Sequence, residues 1–289
     1  MVSIKNLMQL LVLAVKAWSD DFAPSMGAAI SYYTVFSIAP LLVIVIAIAG
    51  AAFGRDAVQG AIVAQLSGLI GQQGASLVQS LIAGASDTGR GRIAGGVSLV
   101  LLVAGATSVF SELQSALDRI WHVPDSQKPH GLWAIVRARL LSVGLILGLV
   151  FLLMVSLVIS AALAAFGSHA MLLPGSEALL HFVNFAVSLG ITTVLFAMIY
   201  KLMPSARIAW EHVWVGAFAT AVLFEAGKLL IGLYLGKSRL TESFHAAGAL
   251  VVLLAWVYYA AQVFLMGAEF TKVFAQEHVL RRRRDAEAT

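Results

Sequence analysis

No charged side chain occurs between Gly27 and Phe53. A helix needs roughly 20 mostly apolar residues to cross a bilayer, and this stretch is longer than that. Similar runs recur at about Ile93 to Phe110, Leu140 to Phe166, Ala178 to Tyr200, His212 to Leu235 and Ala246 to Phe270. They are interrupted only by Glu225 and Lys228 in the fifth and Glu269 in the sixth. Backbone polar groups in lipid must be satisfied within the chain, and runs of this length do so as helices. The expected fold is all-α: a polytopic membrane protein with a six-transmembrane-helix bundle and short amphipathic interfacial helices.

Composition supports a second apolar phase. The chain is 60% hydrophobic and 12% charged, where an average soluble domain is about 25% charged. No long stretch carries the charge density of a soluble domain. Residues 1–289 therefore read as a single integral membrane domain. Residues 1–22 are its N-terminal interfacial helix, 23–275 the six-span bundle, and 276–289 a basic, frayed cytoplasmic tail. The start, Met1 to Trp18, is apolar with Lys5 and Lys16 and has the flavour of a signal peptide. Asp20, Asp21 and Pro24 follow in place of a small-residue cleavage site, so an amphipathic helix on the membrane surface fits better.

Residues 54–92 are small, Gly-rich and weakly apolar. Stretches 57–71 and 75–85 read as short amphipathic helices packed on a membrane face. Pro40 should kink the first span or end its regular part. Pro174-Gly175 marks a turn between the third and fourth spans.

Lys and Arg placement sets orientation. With the N-terminus inside, the inner segments hold Lys5, Lys16, Arg119, Lys128, Arg137, Arg139, Lys201, Arg207, Lys272 and Arg281–Arg284. The outer loops hold only Arg55, Arg90, Arg92, Lys237 and Arg239. Both termini are thus expected in the cytoplasm. Arg281, Arg282, Arg283 and Arg284 suit contact with anionic lipid head groups, and nucleic acid is not an expected partner.

Several stretches carry a family resemblance. The first is Ala28-Ala29-Ile30-Ser31-Tyr32-Tyr33-Thr34 through Phe36-Ser37 to Pro40. Leu117-Asp118-Arg119-Ile120-Trp121 follows the second span. Then come Tyr200 with Pro204, Trp214-Val215-Gly216-Ala217, and Phe224, Lys228 and Tyr234. The last runs from Leu254-Ala255-Trp256-Val257-Tyr258-Tyr259 to Gly267-Ala268-Glu269. In this order they resemble the YihY/BrkB family of bacterial inner-membrane proteins over nearly the whole chain. The resemblance implies six spans and an inner-membrane location. It also implies an unsettled activity: the family was historically labelled a ribonuclease, and members are linked to virulence, serum resistance, and envelope lipid or lipopolysaccharide handling.

Ionisable groups inside apolar spans are expensive and are candidate functional residues. Glu225 and Lys228 share a helix face at i, i+3. They form either a self-neutralising pair or the lining of an aqueous route for a proton or head group. Glu269, Lys272 and Gln262 also share a face. Glu269 either bridges to Lys272 at the interface or faces the bundle and pairs with Lys228 or Arg207. Ser31, Tyr32, Tyr33 and Thr34 either line a pathway or bond back to the helix and sit in an aromatic belt. Pro40 frees a backbone carbonyl beside them. Gly144/Gly148 and Gly232/Gly236 are GxxxG pairs suited to helix packing or to a homo-oligomer.

The residues point away from an enzyme. His122, His130, His169, His181, His212, His245 and His278 are scattered, with no H-E-x-x-H spacing. The segment 112–139 offers Glu112, Asp118, His122, Asp125 and His130, most simply read as a solvated loop. There is no Walker A, no GxSxG and no cysteine, so no metal, cofactor or ATP-driven pumping is expected. The leading expectation is transport or translocation of an amphiphilic or anionic substrate such as an envelope lipid. The alternative is a non-transporting scaffold or lipid-binding factor.

Overall fold

A computed structural model describes residues 4–86, 92–127, 176–237 and 245–287, with scattered helical residues between 140 and 159. The elements are α1 (Ile4–Asp20), α2 (Ala23–Phe53), α3 (Arg55–Ser86), α4 (Arg92–Ile120), a 3₁₀ turn (Asp125–Gln127), α5 (Ser176–Leu202), α6 (Trp210–Lys237) and α7 (His245–Glu287). Four helices among the described residues are long and apolar enough to cross a membrane: Ala23–Ala51, Phe182–Leu202, Trp210–Leu230 and Gly248–His278. These match the first, fourth, fifth and sixth expected spans. The second lies within α4, and most of the third, 140–166, falls outside the described residues.

Large apolar side chains are exposed along the membrane-length helices. Phe36, Phe182, Phe218, Leu229, Leu230 and Val251 are exposed, while Glu225, Glu269 and Lys272 are buried. A protein in water would reverse that arrangement, and lipid explains it.

α7 packs against α1, α2, α3, α4 and α6. Its seam with α6 depends on small residues. A Cβ at Gly216 would overlap Thr271, one at Gly227 would overlap the Tyr259 ring, and one at Gly267 would overlap Thr220 and Tyr200. Close backbone approach of this kind replaces the hydrophobic driving force that lipid removes. Tyr200 of α5 crosses the seam, donating to Phe264 O at 2.7 Å and lying 3.0 Å from Thr220 Oγ1. It is fully buried, so one hydroxyl joins three helices with its polar capacity used.

α3 differs from expectation. Val58 and Ile62 before Gly71, and Val78 and Ile82 after it, enter one cluster with Val45, Ile46, Ala49, Leu253 and Trp256. A straight helix would hold Val58 and Val78 about 30 Å apart. Gly71 instead adopts φ 74°, ψ 170°, a conformation open to glycine, and the chain bends there. Both halves pack on α2 and α7, so 57–71 and 75–85 are parts of the bundle rather than helices laid on a membrane face.

Three further boundaries move. α2 continues through Pro40 to Phe53; the ring of Pro40 sits against α4, where a Cβ on Gly105 would lie 3.1 Å from it. α4 runs on to Ile120, taking in Glu112 and Asp118, which composition assigns to a polar loop. α7 continues to Glu287, so the basic residues expected to fray are helical.

The ends of α1, α4 and α5 and the starts of α2 and α6 meet beside α7 at one end of the bundle. Asp118 of α4 accepts from Ser205 N at 2.6 Å and Ser205 Oγ at 3.0 Å. It thereby fixes the α5–α6 turn. Lys201 donates to Ile208 O across the same turn and lies over the Trp210 ring.

Gly267→Val is expected to cost about 1–3 kcal/mol or more, the price of overpacking a tight interface. Gly190→Ala, with nothing within 4 Å of the added Cβ, should be neutral or slightly stabilising. Thermal melting in detergent compares the two, and an undisturbed Gly267→Val protein would disprove the seam.

Candidate functional site

Two sharp corners aim the polar residues at the meeting end. Phe22, with φ 57°, follows α1 and turns the chain into α2, leaving Asp21 at the bend. His122, with φ 47°, follows α4. His122 N bonds Arg119 O at 3.0 Å and Val123 N bonds Asp118 O at 2.9 Å, the Schellman pattern that closes a helix C-terminus. That closure sends the His122 side chain toward Asp21.

Asp21 is the junction. His122 Nε2 donates to Asp21 Oδ1 at 2.9 Å, and Lys272 Nζ donates to Asp21 Oδ2 at 2.9 Å. Lys272 Nζ also lies 3.4 Å from Glu269 Oε2. One ammonium therefore serves two carboxyls. Burial pushes the Asp21 pKa up, but the hydrogen bonds from His122 and Lys272 outweigh it and hold the carboxyl below the ordinary aspartate value. These partners favour the ionised form of Asp21. Glu269 is fully buried, and its Oε1 has no hydrogen-bond partner.

Two turns earlier on α7, Gln262 faces Gly27 of α2 so closely that a Cβ there would overlap its amide. Both Gln262 Nε2 and Oε1 are buried without a partner. Ser31, one turn along α2, is buried and donates to Gly27 O at 2.7 Å. Farther along, Ser37 and Ser108 lie 2.6 Å apart between α2 and α4. Polar groups thus run up the inner side of α2 from the charged end.

The sequence-expected residues separate into three groups. Glu269 and Gln262 face the bundle with unsatisfied polar atoms. Glu269 pairs with Lys272, while Arg207 is exposed on the α5–α6 turn. Glu225 and Lys228 pair at 2.6 Å, and Glu225 Oε1 also accepts from Ser188 at 3.0 Å and Thr192 at 3.5 Å. This is a neutralised contact between α5 and α6. Tyr32 and Tyr33 point outward, 59% and 40% exposed. Their rings cluster with each other and with Phe36, and Thr34 bonds back to Ile30 O at 2.7 Å. Those hydroxyls line no interior route. Pro40 serves α2–α4 packing. Arg281–Arg284 lie on the last turns of α7; their side chains are outside the described residues.

Sequence reasoning gave no site role to Asp21, Ser188 or Thr192, and named Tyr200 only for the family resemblance. Asp21 lies outside every span and gave no signal beyond its place three residues before Pro24. Asp118 and His122, assigned to a solvated loop, take part in fixed contacts. A cavity of about 510 Å³ lies beside them, lined by Ser115, Asp118, Arg119, His122, Val123, Pro124 and Asp125. Among the described residues, no three His, Asp or Glu side chains are placed to hold a metal ion.

The sequence pattern of the family described as Virulence factor BrkB matches residues 14–289. The chain is similar to the UPF0761 membrane protein of Pseudomonas aeruginosa strain LESB58, 29% identical over 269 residues that cover 91% of this chain and 62% of the relative. It is similar to the UPF0761 membrane protein of Haemophilus influenzae strain 86-028NP, 26% identical over 272 residues, with 93% and 95% covered. A relative of the same name from Alkalilimnicola ehrlichii is 29% identical over 264 residues, with 89% and 56% covered. The chain thus spans less than two thirds of the Pseudomonas and Alkalilimnicola proteins and nearly all of the Haemophilus one. No solved structure matches it. The matched region takes in Asp21, the polar inner side of α2 and all of α7, and on that match the chain belongs to the BrkB family of membrane proteins.

Proposed function

We propose that this protein moves an amphiphilic or anionic substrate, such as an envelope lipid, across the bacterial inner membrane along the α2–α7 seam. The observation that carries the reading is the buried, unpartnered amide of Gln262. An unsatisfied buried polar group costs about 1–3 kcal/mol. A membrane protein that keeps one beside Gly27, in line with Glu269, has a use for a water or a head group there. The apolar outer face would shelter the acyl chain while the seam takes the polar part.

The rest of the reading follows from the same layout. The chain makes six spans, with α4 and residues 140–166 as the second and third. The end holding Asp21, Lys201, Arg207 and Lys272 faces the cytoplasm by the positive-inside rule. α1 lies in the cytoplasmic interface: Leu10 and Ala14 pack on Phe270 and Val273 of α7, while Met8, Leu11, Val12 and Val15 face outward toward lipid. The basic end of α7 touches anionic head groups. Lipids are the partners, alone or around a homo-oligomer; the protein catalyses no bond-breaking and binds no nucleic acid.

One observation favours the scaffold reading instead. Glu225 and Lys228 satisfy each other and draw on Ser188 and Thr192, as a packed structural pair would.

Gln262→Leu should raise stability by about 1–3 kcal/mol, because it removes an unsatisfied buried amide, while lipid translocation in liposomes is lost. A fall in melting temperature would mean that the amide has a structural partner. Ser31→Cys, the protein's only thiol, should react with a water-soluble thiol reagent; Ala221→Cys, buried in the core, should not. Equal protection of both would make the seam dry and favour the scaffold. Lys228→Met alone should cost about 3 kcal/mol, as breaking one side of a buried pair does. Glu225→Gln with Lys228→Met should recover much of that loss, with flux intact; loss of flux in a stable double variant would return the pair to the route.

A further inference from the structure

Lys272 holds two carboxyls. Its Nζ is 2.9 Å from Asp21 Oδ2 and 3.4 Å from Glu269 Oε2. With all three ionised, one negative charge goes uncompensated in a buried place, which is costly. Asp21 has a second donor in His122. Glu269 has none: its Oε1 is buried and unpartnered, on a side chain with no exposed surface.

The groups around Glu269 come from each neighbouring element. Its own helix supplies Lys272, and the α1–α2 corner supplies Asp21. The end of α4 supplies His122, through Asp21, while Asp118 is engaged by Ser205 and Arg119 is exposed. On α6, His212 sits farther along α7, its ring against Phe274 and His278 and its Nε2 3.6 Å from Glu211 Oε1. Thr220 and Tyr200, nearer on α6 and α5, spend their hydroxyls on each other and on Gly216 O and Phe264 O.

We propose that Glu269 is a proton-binding site, reached from the end of the bundle through His122 and Asp21. The missing charge is a single positive one. A metal cation would need to displace Lys272 from between the carboxyls and find further oxygen ligands; a proton needs only Oε1. The route has a donor and an acceptor at each step. His122 is 64% exposed and exchanges protons with solvent, a role imidazole suits. The imidazolium gives its Nε2 proton to Asp21 Oδ1 and becomes neutral. Asp21 and Glu269 lie within side-chain hydrogen-bond reach of each other, so the Asp21 acid passes a proton to the Glu269 carboxylate and is again ionised. His122 then takes a new proton from water. Release runs the same steps backward. A proton here would also supply the coupling ion for translocation; that link rests on the function proposed above, whereas the site does not.

Infrared difference spectroscopy of the full chain in lipid nanodiscs, taken on acidification, tests this without any substrate. The wild type should gain a carboxylic acid C=O band that Glu269→Gln lacks. Glu269→Asp keeps the acid and should show the band displaced, which preserves the reading should the amide variant not fold. His122→Gln should keep the band but slow its appearance after a pH jump by about 100-fold, the low end of what a positioned proton donor contributes. Identical spectra for wild type and both Glu269 variants would overturn the site, and an unslowed His122→Gln response would overturn the route. A protein that takes up this proton but moves no lipid would sink the translocation reading alone.

Discussion

Helices in lipid gain little by hiding apolar surface from one another, so this bundle depends on how closely α6 and α7 can approach. Gly216, Gly227 and Gly267 set that distance. Opposite them stand Thr271, Tyr259 and Thr220, each with a hydroxyl spent on a backbone carbonyl. The contact therefore serves packing and polar satisfaction together. Once α7 is seated there, its other faces take α2, α3 and α1, and Glu269 and Gln262 turn away from lipid toward α2. The position of every candidate polar residue on α7 follows from which of its faces α6 occupies.

Against that background the buried polar groups separate by how they are satisfied. Ser31, Thr34, Thr193, Thr220 and Thr271 bond back to the carbonyl one turn earlier, the least demanding arrangement for a hydroxyl in a helix. Glu225 and Lys228 neutralise each other with two hydroxyls in support. Gln262 and Glu269 belong to neither group. An amide and a carboxyl on one face of α7, each with a buried atom that has no hydrogen-bond partner, set the Gln262–Glu269 face apart from the rest of the bundle.

Four of the six expected spans were legible because hydropathy is a local property: α2, α5, α6 and α7 cover the apolar runs they were expected to cover. What sequence missed was pairing at a distance. Asp21 and Lys272 meet across the fold, and nothing in either local sequence announces the other. Asp118 looked like loop because composition averages over neighbours, whereas its carboxylate answers one backbone N–H and one hydroxyl at Ser205. For Tyr32 and Tyr33 the sequence left a pathway and an outward aromatic belt both open; helix phase turns both rings outward, and phase in a helix apolar on all sides is unreadable without its neighbours. Residues 55–86 were misplaced because their Gly and Gln residues, Gly60, Gln72 and Gly84 among them, lie exposed and dilute the hydropathy, while Val58, Ile62, Val78 and Ile82 carry the burial.

The location of the charged cluster explains how it can exist in a protein so poor in charge. It sits where five helix ends meet the side of α7, not at mid-bundle, so Asp21 and His122 keep contact with water while Glu269, one turn of α7 deeper than Lys272, does not. Solvation falls from His122 to Asp21 to Glu269 over three side chains. An ionised group at the wet end is inexpensive, and its neighbours make it stable; the same group at the dry end needs a counter-charge for which it must compete. Lys272 is shared, and Asp21 is the better placed of its two partners, with His122 as a second donor. That inequality leaves the inner carboxyl, rather than the outer one, as the group whose protonation the fold controls.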